Sequence, residues 1–162
     1  MIVVSDTSPI LNLARIGRLD LLRLLYRQVL VPSSVHQELI ASLATMPSMI
    51  DLGRMPWLLV ATAADQNRVR ELRSELDPGE AEAIVLAVER SANLLLMDER
   101  RGRRIANSNG LTVTGLLGVV AAAKHAGLID LAKPVVDELV QTARFWIGAD
   151  LYADVLRQLG EA

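Results

Sequence analysis

Short, almost wholly apolar runs alternate along this chain with longer stretches of helical periodicity, and that alternation restricts the fold more than any other feature. Ile2–Ser5, Gln28–Val31, Trp57–Ala61, Asn93–Met97 and Leu111–Thr114 read as strands. They are apolar without a polar face, as strands buried on both sides are. Helical patterns cover 9–15, 19–26, 33–43, 65–75, 77–89 and 99–108, followed by 116–126, 131–143 and 149–159. Buried strands separated by helices predict a parallel sheet covered on both faces. The expected fold is α/β, a three-layer α/β/α arrangement around a central, mainly parallel sheet of four to five strands. With 162 residues the chain fits one domain, 1–162, in which 131–162 form a C-terminal helical extension.

Local signals refine the boundaries. Ser8-Pro9 reads as an N-cap followed by proline at the first helical position. Ser34 and Gln37 have the spacing of a capping box, and so do Asp77 and Glu80 around Pro78. Residues 45–56, with three Met, two Pro and a Gly, form the least regular stretch.

Composition removes several classes of function. There is no Cys, hence no disulfide framework, thiolate nucleophile or Cys-based zinc site. The longest uncharged apolar stretch, 111–123, is too short and too rich in Gly and Thr to span a bilayer. The opening MIVVSD has no basic leader, so a cytoplasmic chain without a signal peptide is expected. A net charge of −2 lacks the bulk basic footprint of a duplex-DNA binder. Five aromatic residues leave little for extended base-stacking sheets. The basic residues are 15 Arg against 2 Lys, so any polyanion must be held locally.

The chemistry therefore rests on acids and a few arginines. Asp6 and Asp98 each follow a strand, and in open α/β sheets function gathers at the carboxyl ends of strands. Two carboxylates so placed can share a metal, although for Asp98 alone capping is the better account and for Asp6 a weaker one, Ser8 already serving as cap. Glu80 fits a capping box, yet the helix it opens is apolar nearly all round, so its first turn faces the interior or a cleft. Glu82 lies about 200° away and cannot share that face. Glu38 stands at the edge of the Val35, Leu39, Leu43 stripe, where a carboxylate must be paired, hydrated or ligating; a snorkelling surface glutamate fits the pattern as well. Arg100, Arg101, Arg103 and Arg104 read either as a solvated helix face or as a phosphate grip beside Asp98. His36 and His125 read as surface or packing residues. A Ser-His-Asp triad, a G-x-G-x-x-G turn and a P-loop are all without support.

The four acids, in this order, resemble those of the PIN-domain nucleases, and most closely the PIN-like branch related to the VapC toxins of toxin–antitoxin pairs. The resemblance runs through IVVSDTSPILNLARIGRLDLL, VPSSVHQEL, LDPGEAEAIVLAVE, NLLLMDERRGRRIA and VTGLLGVVAAAKHAGLI to a helical tail with FWIGADLYADVLRQLGE. It implies that Asp6, Glu38, Glu80 and Asp98 are the catalytic acids, with Asp6, Asp98 and Glu80 on the metal. Thr7 or Ser8 matches the small hydroxyl residue beside the first acid, and Glu99 a position often occupied by Asp. It implies a metal-dependent ribonuclease acting on single-stranded RNA, the toxin partner of an antitoxin protein and a homodimer. Four converging carboxylates need a cation to relieve their repulsion, and hard oxygen donors without Cys or His select Mg²⁺ or Mn²⁺. Arg100, Arg101, Arg103 and Arg104 would then bind RNA.

Two other classes remain in view. A non-catalytic PIN-like module would use the cleft to hold RNA or a protein. A phosphoaspartyl enzyme or receiver domain fits poorly, because D-x-D fails at Ser8 and Asp6 follows Ser5 rather than another acid.

Overall fold

A five-stranded, all-parallel sheet in the order β3-β2-β1-β4-β5 organises the molecule. The strands are β1 (Val3–Ser5), β2 (Val29–Pro32), β3 (Leu58–Ala61), β4 (Leu94–Leu96) and β5 (Val113–Thr114). The computed structural model describes residues 1–46 and 50–162. Pro47, Ser48 and Met49, in the stretch read as least regular, lie outside the described residues. Just beyond them a short 3-10 turn spans Leu52–Arg54, with the Asp51 carboxylate accepting from the Gly53 N–H at 2.9 Å.

Helices fill both faces. They are α1 (Thr7–Arg15), α2 (Asp20–Tyr26), α3 (Ser33–Leu43), α4 (Gln66–Leu72), α5 (Pro78–Glu89), α6 (Arg100–Ser108), α7 (Leu116–His125), α8 (Lys133–Gln141) and α9 (Ala149–Gln158). The two-residue period of the strands divides the core. Val3 and Leu96 point to one side with Val29 and Val31, among α1, α2, α3, α7 and α8. Val4, Leu95 and Met97 point to the other, against α4, α5 and α6. In β1, β2 and β4 neighbouring residues thus meet different helix layers; the edge strand β3, expected to be buried on both sides, instead leaves Leu59 and Val60 exposed because it has a strand on one side only.

Strand order reverses between β1 and β4, the place where open α/β sheets leave a crevice. Ser5 pairs with Leu96, and the Asp6 N–H donates to the Leu96 carbonyl at 2.9 Å. The first residues beyond these two strands are thereby held side by side.

Two local capping expectations fail because distant residues claim the groups concerned. α1 begins at Thr7 with Asp6 in the N-cap position, and Ser8 is inside the helix, its hydroxyl turned to Asp98. The Ser34–Gln37 capping box is absent, for no side-chain cap forms at the start of α3. Glu82 of α5 does that work instead. Its carboxylate accepts from the Ser34 N–H at 3.3 Å, from both the Ser33 and Ser34 hydroxyls, and from the Ala63 N–H at 3.3 Å.

The last residues pack back on the body. Glu161 pairs with Lys124 of α7 at 2.7 Å and accepts from the Ala132 and Lys133 N–H groups at the start of α8. One carboxylate thus closes a helix end and a salt bridge together. Among the described residues no helix is long and apolar enough to cross a membrane.

Candidate active site

Asp6 is 5% exposed in the N-cap position of α1, where its carboxylate caps no later turn of the helix. It faces a crevice of about 400 Å³ outside the carboxyl ends of β1 and β4. Asp98 closes the β4 side, Glu38 reaches in from α3, and Asp77 and Glu80 from the start of α5; Glu99 completes the rim. The structure therefore brings Asp6, Glu38, Glu80, Asp98 and Glu99 to one place. Glu82, on the far side of α5, stays out of it.

Each acid is fixed by its own support. The Thr7 hydroxyl donates to Glu38 Oε2 at 2.7 Å. The Ser8 hydroxyl donates to Asp98 Oδ2 at 3.1 Å, and the Leu116 N–H to Asp98 Oδ1 at 2.7 Å. Ser8 is held in turn by Asn12 Nδ2 at 3.0 Å. Glu80 keeps the capping box expected of it: the Asp77 carboxylate accepts from the Glu80 N–H at 2.8 Å, and Glu80 Oε2 from the Asp77 N–H at 3.1 Å. Capping and crevice lining coexist, because a carboxylate has two oxygens.

Gly79 makes the convergence possible. A Cβ at this position would sit 3.2 Å from Val35 Cγ2, 3.3 Å from Glu38 Oε2 and 3.5 Å from Asp6 Oδ1. A Cβ there would press on Val35 and Glu38 and touch Asp6, so glycine lets the first turn of α5 come close to both acids without displacing them.

The electrostatics follow from burial without charge balance. Burial pushes the Asp6 carboxyl up to about 7, with the Thr7 N–H opposing and Asp77, Glu80 and Glu38 adding to the rise. Burial likewise raises Glu80, against the Asp77 N–H and with the charges of Asp77 and Glu99. Asp98 is raised by burial although Leu116, Ser8 and Arg103 all favour its charged form. Glu99 is held low, chiefly by the Gly102 N–H.

Among the described residues, Arg15 is the one cation lining the crevice. No group of three or more acids or histidines stands ready-made as a metal shell among the described residues. Chemically, however, the donor set is all carboxylate and hydroxyl oxygen, which suits a hard divalent cation.

Several crevice residues escaped the sequence reading. Asp77 was read as a cap alone, yet its charge bears on Asp6. Asn12 and Arg15 follow Ser8 at helical spacing on α1, a signal that marks one face once Ser8 is known to face the acids. The arginines of α6 divide. Arg100, Arg103 and Arg104 line a groove together with Asp98. Arg101 instead turns its guanidinium to the Glu75 carbonyl at 3.4 Å. His125 bonds to the Ala121 carbonyl in its own helix. His36 borders a separate, mainly apolar cavity of about 460 Å³ between α3 and the Leu52–Arg54 turn, which holds none of the crevice acids.

A family model named DUF3368, described as a PIN domain, matches residues 2–161. The chain belongs to this PIN-domain family. A PIN domain is a nuclease-type module, and the five-stranded parallel sheet between helical layers agrees with its α/β/α fold. None of the curated proteins compared with the chain matches it.

Proposed function

We propose that this PIN domain is a divalent-metal-dependent endoribonuclease that hydrolyses phosphodiester bonds of single-stranded RNA in the cytoplasm. The observation that carries the reading is the crevice itself: acids from four separate segments share it, Asp6 and Glu80 among them buried, and burial beside other acids pushes Asp6 up to about 7. Such a site is unfavourable alone and favourable around a cation.

Asp6, Asp98 and Glu80 would hold Mg²⁺ or Mn²⁺, which would supply charge neutralisation at the scissile phosphate and a more acidic water. The remaining work falls to the chain's own groups. Ser8 Oγ and the Leu116 N–H fix the plane of the Asp98 carboxylate. Thr7 Oγ holds Glu38 Oε2, leaving Oε1 to orient the attacking water and take its proton. Water oxygen then bonds to phosphorus as the ester P–O bond breaks, and the departing oxygen takes up a proton. Arg15 at the rim, and Arg100, Arg103 and Arg104 beyond Asp98, would contact flanking phosphates.

The whole chain, including the helices after residue 130, is proposed to act as one PIN unit. Its proposed role as the toxin of an antitoxin pair, and as a homodimer, rests on the resemblance to VapC-like toxins. The test is incubation of purified protein with mixed RNAs in Mn²⁺ or in EDTA, beside Asp6→Asn. Fragments that require both the metal and Asp6 support the reading. RNA retained without cleavage in either condition overturns it in favour of a binding module.

A further inference from the structure

The acidic crevice has a continuation. Asp98 lines it on one side and, on the other, lines a groove of about 440 Å³ between α6 and the first turn of α9. The walls of that groove are Arg100, Arg103, Arg104 and Asn107 on α6 and Leu151 on α9. The four α6 residues fall at i, i+3, i+4 and i+7, one face of the helix. None of the three guanidinium groups is in an ion pair among the described residues. Arg103 approaches Asp98 over Gly115: a Cβ there would lie 2.8 Å from both Arg103 Nη1 and Asp98 Oδ1. The change from anionic crevice to cationic groove therefore happens within one side chain's reach.

The α9 wall brings a second feature. Trp146 is 85% exposed, whereas the other tryptophan, Trp57, is buried at 9%. Its ring comes close to Gly148, the N-cap of α9, with Cη2 3.7 Å from the position of a Gly148 Cβ. Leu151, in the groove wall, is three residues further on and itself 52% exposed. An exposed aromatic ring just ahead of α9, the helix that supplies Leu151 to the groove, is suited to stack on a nucleobase. The unpaired arginines of the facing α6 wall are suited to the phosphates that join bases.

We infer that the α6–α9 groove is the track along which a single RNA strand leaves the crevice, with Arg100, Arg103 and Arg104 on its phosphates and Trp146 stacked on a base. The identity of the strand rests on the ribonuclease reading of the crevice, but the track itself is tested without cleavage. Charge complementarity favours a polyanion over a second protein surface, because a protein partner would have to satisfy three guanidinium groups in one groove.

Binding of a short single-stranded RNA is measured in EDTA, so that turnover plays no part. In a Trp57→Phe background Trp146 is the sole tryptophan, and RNA should quench its fluorescence. Trp146→Ala should weaken binding about tenfold, with Trp146→Phe recovering most of the loss. Replacing Arg100, Arg103 and Arg104 by Gln should reduce the log–log salt slope by about 2, at about 0.7 for each lost contact. Arg101→Gln, whose guanidinium faces Glu75, should leave the slope unchanged. An equal loss with Arg101→Gln would overturn the track in favour of diffuse charge. Fluorescence that responds to protein concentration and not to RNA, with Trp146→Ala dissociating a dimer in sedimentation, would overturn it in favour of a protein interface. RNA that quenches Trp146 but is never cut in Mn²⁺ upholds the track and removes the nuclease reading alone.

Discussion

Glu80 and Glu82 stand two residues apart on α5, both buried, and the protein treats them in opposite ways. Against burial, hydrogen bonds from Ser34, Ser33 and Ala63 hold Glu82 below the usual carboxylate range. Glu80 has one donor, the Asp77 N–H, and looks across at Asp6, Asp77 and Glu99; its carboxyl is raised. A buried charge with a full set of donors is a structural fixture. A buried charge among like charges with few donors is held there at a cost, which fold stability alone does not explain. One side of α5 thus serves the fold, and the other is the side proposed for chemistry.

The sharpest way to break this contrast is at the crevice acids. Asp6→Asn and Asp98→Asn should each lower RNA cleavage by about a hundredfold or more, with circular dichroism unchanged. Near-normal turnover in either variant, with contaminating nuclease removed, would end the proposed mechanism. Next comes the pair on α5 itself. Glu80→Gln should lose activity while keeping its capping geometry and most of its stability. Glu82→Gln should cost about 1–3 kcal/mol in urea unfolding, with specific activity of the folded fraction preserved. If both variants behave alike, the two sides of α5 do not differ in role.

A third measurement uses pH on metal-free protein. Folded Asp6 holds its proton to about 7, while the ordinary value is 3.8. Between those values the folded state binds more protons, so this group's contribution falls as pH rises, and the penalty is complete above about 7. Unfolding in EDTA should therefore show wild type losing stability relative to Asp6→Asn between pH 4 and pH 8. The relative loss should be on the order of 2–4 kcal/mol. A constant difference across that window would show that Asp6 titrates normally. The smallest effect is expected for Ser8→Ala, which frees Asp98 Oδ2: about a tenfold loss in turnover, with little change in melting temperature.

The central strands and most helices were legible because burial on both faces writes continuous apolar runs; β3 is equally apolar although Leu59 and Val60 are exposed. The positions of Asp6 and Asp98 were legible for a related reason, as each follows such a run. What could not be read locally was where side chains find partners. Ser8 before a proline looks like a cap, yet Asp98, brought alongside by the β1–β4 pairing, takes its hydroxyl. Ser34 looks like half a capping box, yet Glu82 lies closer in space than Gln37 offers in sequence. Asp77 satisfied one role so well that its second, as a charge facing Asp6, carried no separate mark. The division of the α6 arginines was written in the helical period: Arg100, Arg103 and Arg104 share a face with Asn107, and Arg101 does not.

The pairing of β1 with β4 also has a consequence in time. Ninety residues separate Ser8 from Asp98, its hydrogen-bond partner across the crevice. At a synthesis rate of roughly 5–20 residues per second, several seconds pass between their emergence from a ribosome. Until β4 arrives, β1 has one unfilled edge and the crevice has no far wall. On the proposed nuclease reading, activity would accordingly require the assembled chain. A break in the exposed turn around Asp65, between the segment bearing Asp6 and Glu38 and the segment bearing Glu80 and Asp98, would leave two pieces that are each inert and become competent only on meeting.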